Sequence, residues 1–336
     1  MPFISEIIKC NSLSIVGLEK NTGKTECLNY ILKRLPQENY KVAVTSIGID
    51  GETVDNVTKT SKPEIHIENG VYFSTSEAHY RKRKLYSELV DITEEWSSLG
   101  RIVTAKALCG GKVLLSGPSS GTALKRWMES LNAFGVDLRI VDGALSRLSL
   151  ASPAVSEAMI LSTGAALSAN MNILVRKTAF VVELIGIEVA ERQYIDMFMG
   201  VENGIWGVDD NGEAIDFKIQ SSLSFNGFNS DIAKKCRVIY VSGALTERFL
   251  KILIGMEREI LLLVRDFTKI FVSELVYREF SKRGGSIKVL QRSKLIAVCV
   301  NPTSPEGYVM DSDLLCENLE RAIGLPVYDI VRNNAF

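Results

Sequence analysis

The order of elements along the chain predicts an α/β fold built on a doubly wound, mostly parallel sheet. Two observations carry that expectation. Short β-branched apolar runs alternate with amphipathic helical stretches, and the connections between them are short, as in successive βαβ units. With 336 residues the chain has room for roughly two domains and a sizeable core.

Taken in order, Leu-Ser-Ile-Val at 13–16 forms the first strand and stops at Gly17. Residues 25–35 read as a helix because Leu28, Ile31, Leu32 and Leu35 recur at helical spacing, and Pro36 ends it. KVAVTSIGID at 41–50 is apolar enough for a buried parallel strand. The stretch 52–79, with Pro63, Asn69 and Gly70, reads as an inserted loop and hairpin, and SEAHYRKRKLYSELVDITEEW after it reads as a helix. The rhythm resumes with KVLLSGPSSG (112–121), a helix over ALKRWMESLNAFG, and the strand VDLRIVDGA (136–144). Residues 1–175 therefore read as one α/β region with the insertion at 52–79. Residues 176–230 read as a β-rich, antiparallel excursion, with Asp-Asp-Asn-Gly at 209–212 as a hairpin turn. Residues 231–336 return to α/β alternation through 237–253, 259–283, 293–302 and 325–331.

Composition narrows the function. Lys+Arg 39 against Asp+Glu 40 leaves a net charge of −1, without the basic excess of a protein that grips nucleic acid. Six cysteines are scattered with no CxxC pair, and two histidines leave little material for a His-centred triad or a multi-His metal site. No apolar run reaches the roughly 18 residues that span a bilayer, and the first residues lack a cleavable leader pattern. A cytoplasmic protein, with no membrane and no nucleic acid among its partners, is expected.

The most informative stretch is SIVGLEKNTGKTE, residues 14–26, because Gly-Lys-Thr at 23–25 falls between a strand and a helix. That is the setting a phosphate loop requires. Gly17, Lys20, Asn21, Thr22 and Gly23 bring backbone amides toward phosphate oxygens, Lys24 reaches the β and γ phosphates, and the Thr25 hydroxyl ligates Mg²⁺. The expected ligands are therefore ATP or GTP with Mg²⁺, and the fold becomes phosphate-loop NTPase-like. Five residues separate Gly17 from Gly23 where the standard motif has four. In the related deviant form the second lysine would align with Glu19, one position before Lys20, which puts that role for Lys20 in doubt. Asp50 and Asp142 close two strands on the same sheet edge, so either can reach the metal or its water. Asp50 is the candidate that positions an attacking water and, with Lys24, the catalytic candidate; Asp142 fits the acid that ends a Walker B strand. The alternative for both is a loop cap at an Asp-Gly turn.

Asn301, opening NPTSPEG, is placed to hold a nucleotide base. The loops SGPSSG (116–121) and VSGALT (241–246) read as ordinary strand-to-helix connections, Arg81–Lys84 as a solvated charged face, and His66 and His79 as structural or exposed.

Taken together, VGLEKNTGKTECLNYIL, TSIGIDGE (45–52), LLSGPSSG, IVDGALSRLSLASP (140–153) and ILSTGAALS (160–168) resemble the reactivase subunit that accompanies lysine 5,6-aminomutase. The phosphate loop itself is similar to that of the dethiobiotin-synthetase-like branch. The family resemblance implies a chaperone-like protein that restores an adenosylcobalamin-dependent lysine or ornithine aminomutase of anaerobic fermentation by ATP-dependent exchange of damaged cobalamin. It implies the mutase and a second, mismatch-repair-like (MutS-like) ATPase subunit as partners, leaves a homo-oligomer open, and does not decide whether this chain hydrolyses nucleotide. The competing readings are an ATP-dependent ligase resembling dethiobiotin synthetase, with Lys20, Arg147 and Arg176 available for a carboxylate, and a metal-delivery NTPase, for which Cys10 and Cys27 are the only thiols near the loop.

Overall fold

β1 (Ser12–Gly17) is buried at every position, which only a central strand achieves, and a nine-stranded sheet has grown around it. The computed structural model describes residues 3–36, 39–47, 65–97, 99–144, 152–153, 155–225, 236–256 and 258–334. They divide into two units, Met1–Ala179 with Lys294–Phe336, and Phe180–Ser293.

In the first unit the remaining strands are β2 (Val42–Ser46), β3 (Ile65–Ile67), β4 (Tyr72–Ser76), β5 (Ser87–Ser97), β6 (Gly100–Ala107), β7 (Gly111–Val113), β8 (Leu138–Ala144) and β9 (Ala158–Gly164). Late in the chain, β17 (Lys294–Asn301) and β18 (Val327–Asp329) come back to the same sheet, whose order is β18-β17-β9-β1-β8-β2-β4-β6-β5. The first seven of these run parallel, and β6 and β5 close the edge antiparallel. A mixed α/β architecture around a large, mostly parallel sheet is what the alternation predicts.

Helices cover both faces. α1 (Phe3–Ile7) and α2 (Lys24–Arg34) send Phe3, Ile7, Leu28 and Ile31 onto one face, where they meet Leu13, Ile15, Val42 and Val44. α4 (Gly121–Ser130), which follows the short α3 (Glu77–Arg81), sends Leu124 and Trp127 onto the other, against Ala43, Tyr72 and Val141. Alternation along β2 thus splits Val42 and Val44 from Ala43, as period-two geometry requires. The loop after β7 lies hard against the end of β2: a Cβ on Gly117 would stand 1.8 Å from the Ser46 carbonyl oxygen.

The second unit begins within α5 (Met171–Ile185) and includes α6 (Arg192–Phe198). Its sheet comprises β10 (Ile205–Val208), β11 (Ala214–Ile219), β12 (Val238–Val241), β14 (Leu261–Val264) and β16 (Ser286–Val289), in the order β11-β10-β12-β14-β16. A two-residue pair, β13 (Leu245–Thr246) with β15 (Ile270–Phe271), lies beside α7 (Glu247–Ile254) and α8 (Glu274–Lys282). Its core holds Phe198 stacked on Tyr240 at 4.7 Å between centroids. Back in the first unit, α9 (Ser312–Ile323) and α10 (Ile330–Asn334) end the chain. No helix among the described residues is long and apolar enough to cross a membrane.

Several expectations change here. β3 and β4 do not form a hairpin: β3 pairs with β7, and β4 pairs parallel with β2. All five residues of β4 are buried, which a peripheral hairpin strand would not allow. β7 accordingly lies outside the parallel sheet. The helix expected over 76–96 stops at Arg81, and β5 replaces its remainder because β6 offers a cross-strand partner to Leu89, Asp91 and Ile92, and tertiary pairing outweighs local periodicity. The stretch 176–230 opens with helix, its apolar run serving α5, since a short apolar run fits helix or strand alike. Asp209–Gly212 does turn an antiparallel hairpin between β10 and β11. Residues 231–336 are shared between the units, because β17 pairs with β9. Residues 51–64 and Asp50 lie outside the described residues.

The contact at Gly117 yields a stability test. Gly117→Ala should cost about 1–3 kcal/mol by overpacking, read from denaturant midpoints. Gly121→Ala, with open space around its added methyl, should stay within roughly 0.5 kcal/mol.

Candidate functional site

The turn that joins β1 to α2 is held in one shape by its carbonyls. The Thr22 hydroxyl donates to the Glu19 carbonyl at 2.9 Å. Asn301 Nδ2 donates to the Asn21 carbonyl at 3.2 Å, and the Ser162 hydroxyl donates to the Thr22 carbonyl. Leu18 N–H donates to the Ser162 carbonyl at 2.9 Å. Asn21 (φ 61) and Gly23 (φ 91) take left-handed backbone conformations, which Asn and Gly tolerate best.

The amides that follow take no part in that clasp. Among the described residues, those of Asn21, Thr22, Gly23, Lys24 and Thr25 have no protein acceptor, and the first intrahelical bond runs from Cys27 N–H to the Gly23 carbonyl at 2.9 Å. Gly23 caps α2 without a side-chain acceptor. Orphan amides at a helix start carry partial positive charge, so the turn presents a concentrated site for an anion. Gly17 is required by closeness: a Cβ there would stand 2.6 Å from Thr22 Oγ1 and 2.8 Å from two Lys24 side-chain carbons. The aliphatic stem of Lys24 therefore folds back over the end of β1.

Asp142 sits on β8 directly beside Ile15 of β1 and Ser46 of β2. The residue keeps some exposed surface, yet its Oδ1 is sealed from solvent and has no hydrogen-bond partner. Burial pushes the Asp142 carboxyl above its usual value of 3.8, while the nearby Lys24 charge and the Gly143 amide pull the other way. A sealed carboxylate oxygen without a donor is costly unless a cation or water completes it.

The structure thus brings Gly17, Lys20, Asn21, Thr22, Gly23, Lys24 and Thr25 into one turn, with Asn301 against it and Asp142 on the adjacent strand. Lys20 is exposed, its amide bonded to Glu19 Oε1. The Asn301 carboxamide is engaged at both ends, Oδ1 accepting from Thr303 N–H at 3.0 Å. Asp50 lies outside the described residues. Sequence reasoning missed the roles of Ser162 and Gly164. A Cβ on Gly164 would stand 2.1 Å from the Asn301 carbonyl oxygen, so that glycine lets β17 approach closely enough for Asn301 to reach the turn. The available signal was Ser-Thr-Gly closing the apolar run AMIL.

Beneath the turn, Cys27 Sγ and Cys299 Sγ lie 3.7 Å apart. The contact and complete burial push the Cys27 thiol up, so it packs as a protonated apolar group. The expected loops behave as connections: Ser116 of SGPSSG is buried and bonded to His79 Nδ1 at 2.8 Å, which makes His79 structural. Among the described residues no three His, Cys, Asp or Glu side chains gather as a metal cluster. No protein-family model, curated protein or solved structure matches this chain.

The state of Asp142 is measurable. Its raised value means that stability is lost as pH climbs from 3.8 through that value, because the unfolded chain ionises first. Asp142→Asn should therefore stabilise the ligand-free protein at neutral pH by about 1–3 kcal/mol, and the gain should vanish below pH 3.8. Thermal midpoints across a pH series report both; a variant less stable than wild type at neutral pH would contradict the assignment.

Proposed function

We propose that this chain binds a magnesium–nucleoside triphosphate at Gly17–Thr25 and acts as the nucleotide-binding reactivase subunit of an adenosylcobalamin-dependent lysine or ornithine aminomutase in the cytoplasm. The row of amides from Asn21 to Thr25 without a protein acceptor, in a turn whose carbonyls are held by Ser162 and Asn301, is the observation that carries the nucleotide half. The resemblance of the sequence motifs to the reactivase family supports the rest.

The residues present fit the ligand. The amides and Lys24 would hold phosphate oxygens, and the Thr25 hydroxyl with Asp142 would face the magnesium or its water, completing the orphaned Oδ1. Magnesium commonly takes one or two protein ligands and completes its shell with phosphates and water. When bound it neutralises phosphate charge; the protein's part is to position the triphosphate and exclude competing geometries. Asp50 remains the candidate for orienting an attacking water.

Reactivation requires two conformations with different affinity for the mutase, and nucleotide biases them only through differential contacts. The turn is the element able to supply those contacts, since Asn301 and Ser162 tie it to β17 and β9. The second, MutS-like subunit would couple to the same cycle.

Lys24→Ala should fold normally and lose about 1.5–3 kcal/mol of triphosphate binding, roughly tenfold or more in affinity, by calorimetric titration with ATP and with GTP in magnesium. Unchanged affinity in the folded variant would remove the assignment. For the reactivase role, inactivated aminomutase should recover with fresh adenosylcobalamin, ATP and both subunits. Failure to recover, with ATP turnover stimulated by a diamine or dicarboxylate, would favour the ligase alternative.

A further inference from the structure

Within the second unit, the segment 201–204 that leads into β10 is held by its carbonyls. The Val201 carbonyl accepts from the Tyr240 hydroxyl at 3.1 Å, and that of Asn203 accepts from Trp206 Nε1 at 3.0 Å. The Gly204 carbonyl accepts twice from Ser242, from its N–H at 3.2 Å and its hydroxyl at 2.8 Å. The Gly204 amide differs: among the described residues it has no protein acceptor. The peptide between Asn203 and Gly204 is thus bonded at its carbonyl and open at its nitrogen.

Asn-Gly is the pairing in which a side-chain carboxamide meets the least hindered backbone nitrogen, because the following residue has no Cβ. The chain holds four such pairs, at 69–70, 203–204, 211–212 and 226–227, the last of them outside the described residues. In two of the remaining three the glycine amide is engaged. Gly70 N–H donates to the Ala107 carbonyl at 2.9 Å, and Gly212 N–H to the Asp209 carbonyl at 3.1 Å. An amide already donating must give up that bond before its nitrogen can react. Asn203 is exposed to water, and Gly204 beside it has no such bond to give up.

We propose that Asn203 is a site of spontaneous covalent modification, deamidating through a cyclic imide more readily than Asn69 or Asn211. Hydroxide removes the Gly204 amide proton, and the nitrogen attacks Asn203 Cγ. A bond forms between that nitrogen and Cγ, the bond from Cγ to Nδ2 breaks, and ammonia leaves with a proton from water. Water then opens the ring at either carbonyl, leaving aspartate or isoaspartate, with nothing oxidised or reduced. The isoaspartate product routes the main chain through Cβ and so lengthens it just before Ile205, a fully buried residue that pairs with Val241 and Ile219. The contacts of Trp206 and Ser242 with residues 203 and 204 are the ones this lengthening strains.

The inference is independent of nucleotide binding. The whole chain, incubated in mildly alkaline buffer both folded and in urea, is sampled over time and digested, and each Asn-Gly peptide is followed by mass spectrometry with isoaspartate-specific methylation. In the folded chain Asn203 should convert about tenfold faster than Asn69 and Asn211, the factor that one hydrogen bond supplies. In urea the three rates should draw together. Asn203→Gln, whose longer side chain would have to close a larger ring, should abolish conversion at that peptide and leave the other two unchanged. Equal rates at the three sites in the folded chain, or a lead for Asn203 that persists undiminished in urea, would overturn the proposal.

Discussion

The structure around the candidate site depends on one constraint, the fixing of three carbonyls in the turn between β1 and α2. Backbone groups that are bonded in one direction determine where their neighbours point. With the Glu19, Asn21 and Thr22 carbonyls accepting from Thr22, Asn301 and Ser162, the amides of residues 21–25 are left, among the described residues, without a protein acceptor. Two of those three donors sit on β9 and β17, strands that the chain reaches only after residues 158 and 294. The anion site of an early loop is thus assembled by late parts of the sequence. This also explains why β17 leaves the second unit's sequence neighbourhood to pair with β9: Gly164 permits the approach, and Asn301 makes use of it.

Electrostatics supports the same geometry from below. Asp142 lies on a strand adjacent to β1 with one oxygen sealed and without a donor, and the charge that offsets its burial comes from Lys24 across the turn. An acid held in this way is a liability to the empty fold and an asset once a cation completes it. The Cys27 thiol, pushed up by burial and its contact with Cys299, fills the layer beneath without adding charge, which keeps the polar groups of the site concentrated at the turn and at Asp142.

Much of this was legible in the sequence. β1, α2, β2 and β8 follow from local pattern, because a strand buried on both faces reads as an unbroken apolar run and α2 has a clean helical stripe. The turn was legible because Gly-Lys-Thr has a physical job between a strand and a helix. What local pattern could not show was partnership. SELVDITEEW carries enough charge to look helical, and becomes strand only because β6 folds back on it; the run after Met171 is apolar enough for either state and becomes helix. Ser162 and Gly164 were illegible as site residues because their importance arises from β17, about 130 residues later in the chain.

The most direct measurement is a crystal structure of the chain with magnesium and a non-hydrolysable triphosphate analogue. The account expects the phosphates along the amides of residues 21–25, with the metal within reach of Thr25 and Asp142. An analogue bound elsewhere, or a turn whose amides stay without ligand at saturating analogue, would contradict it.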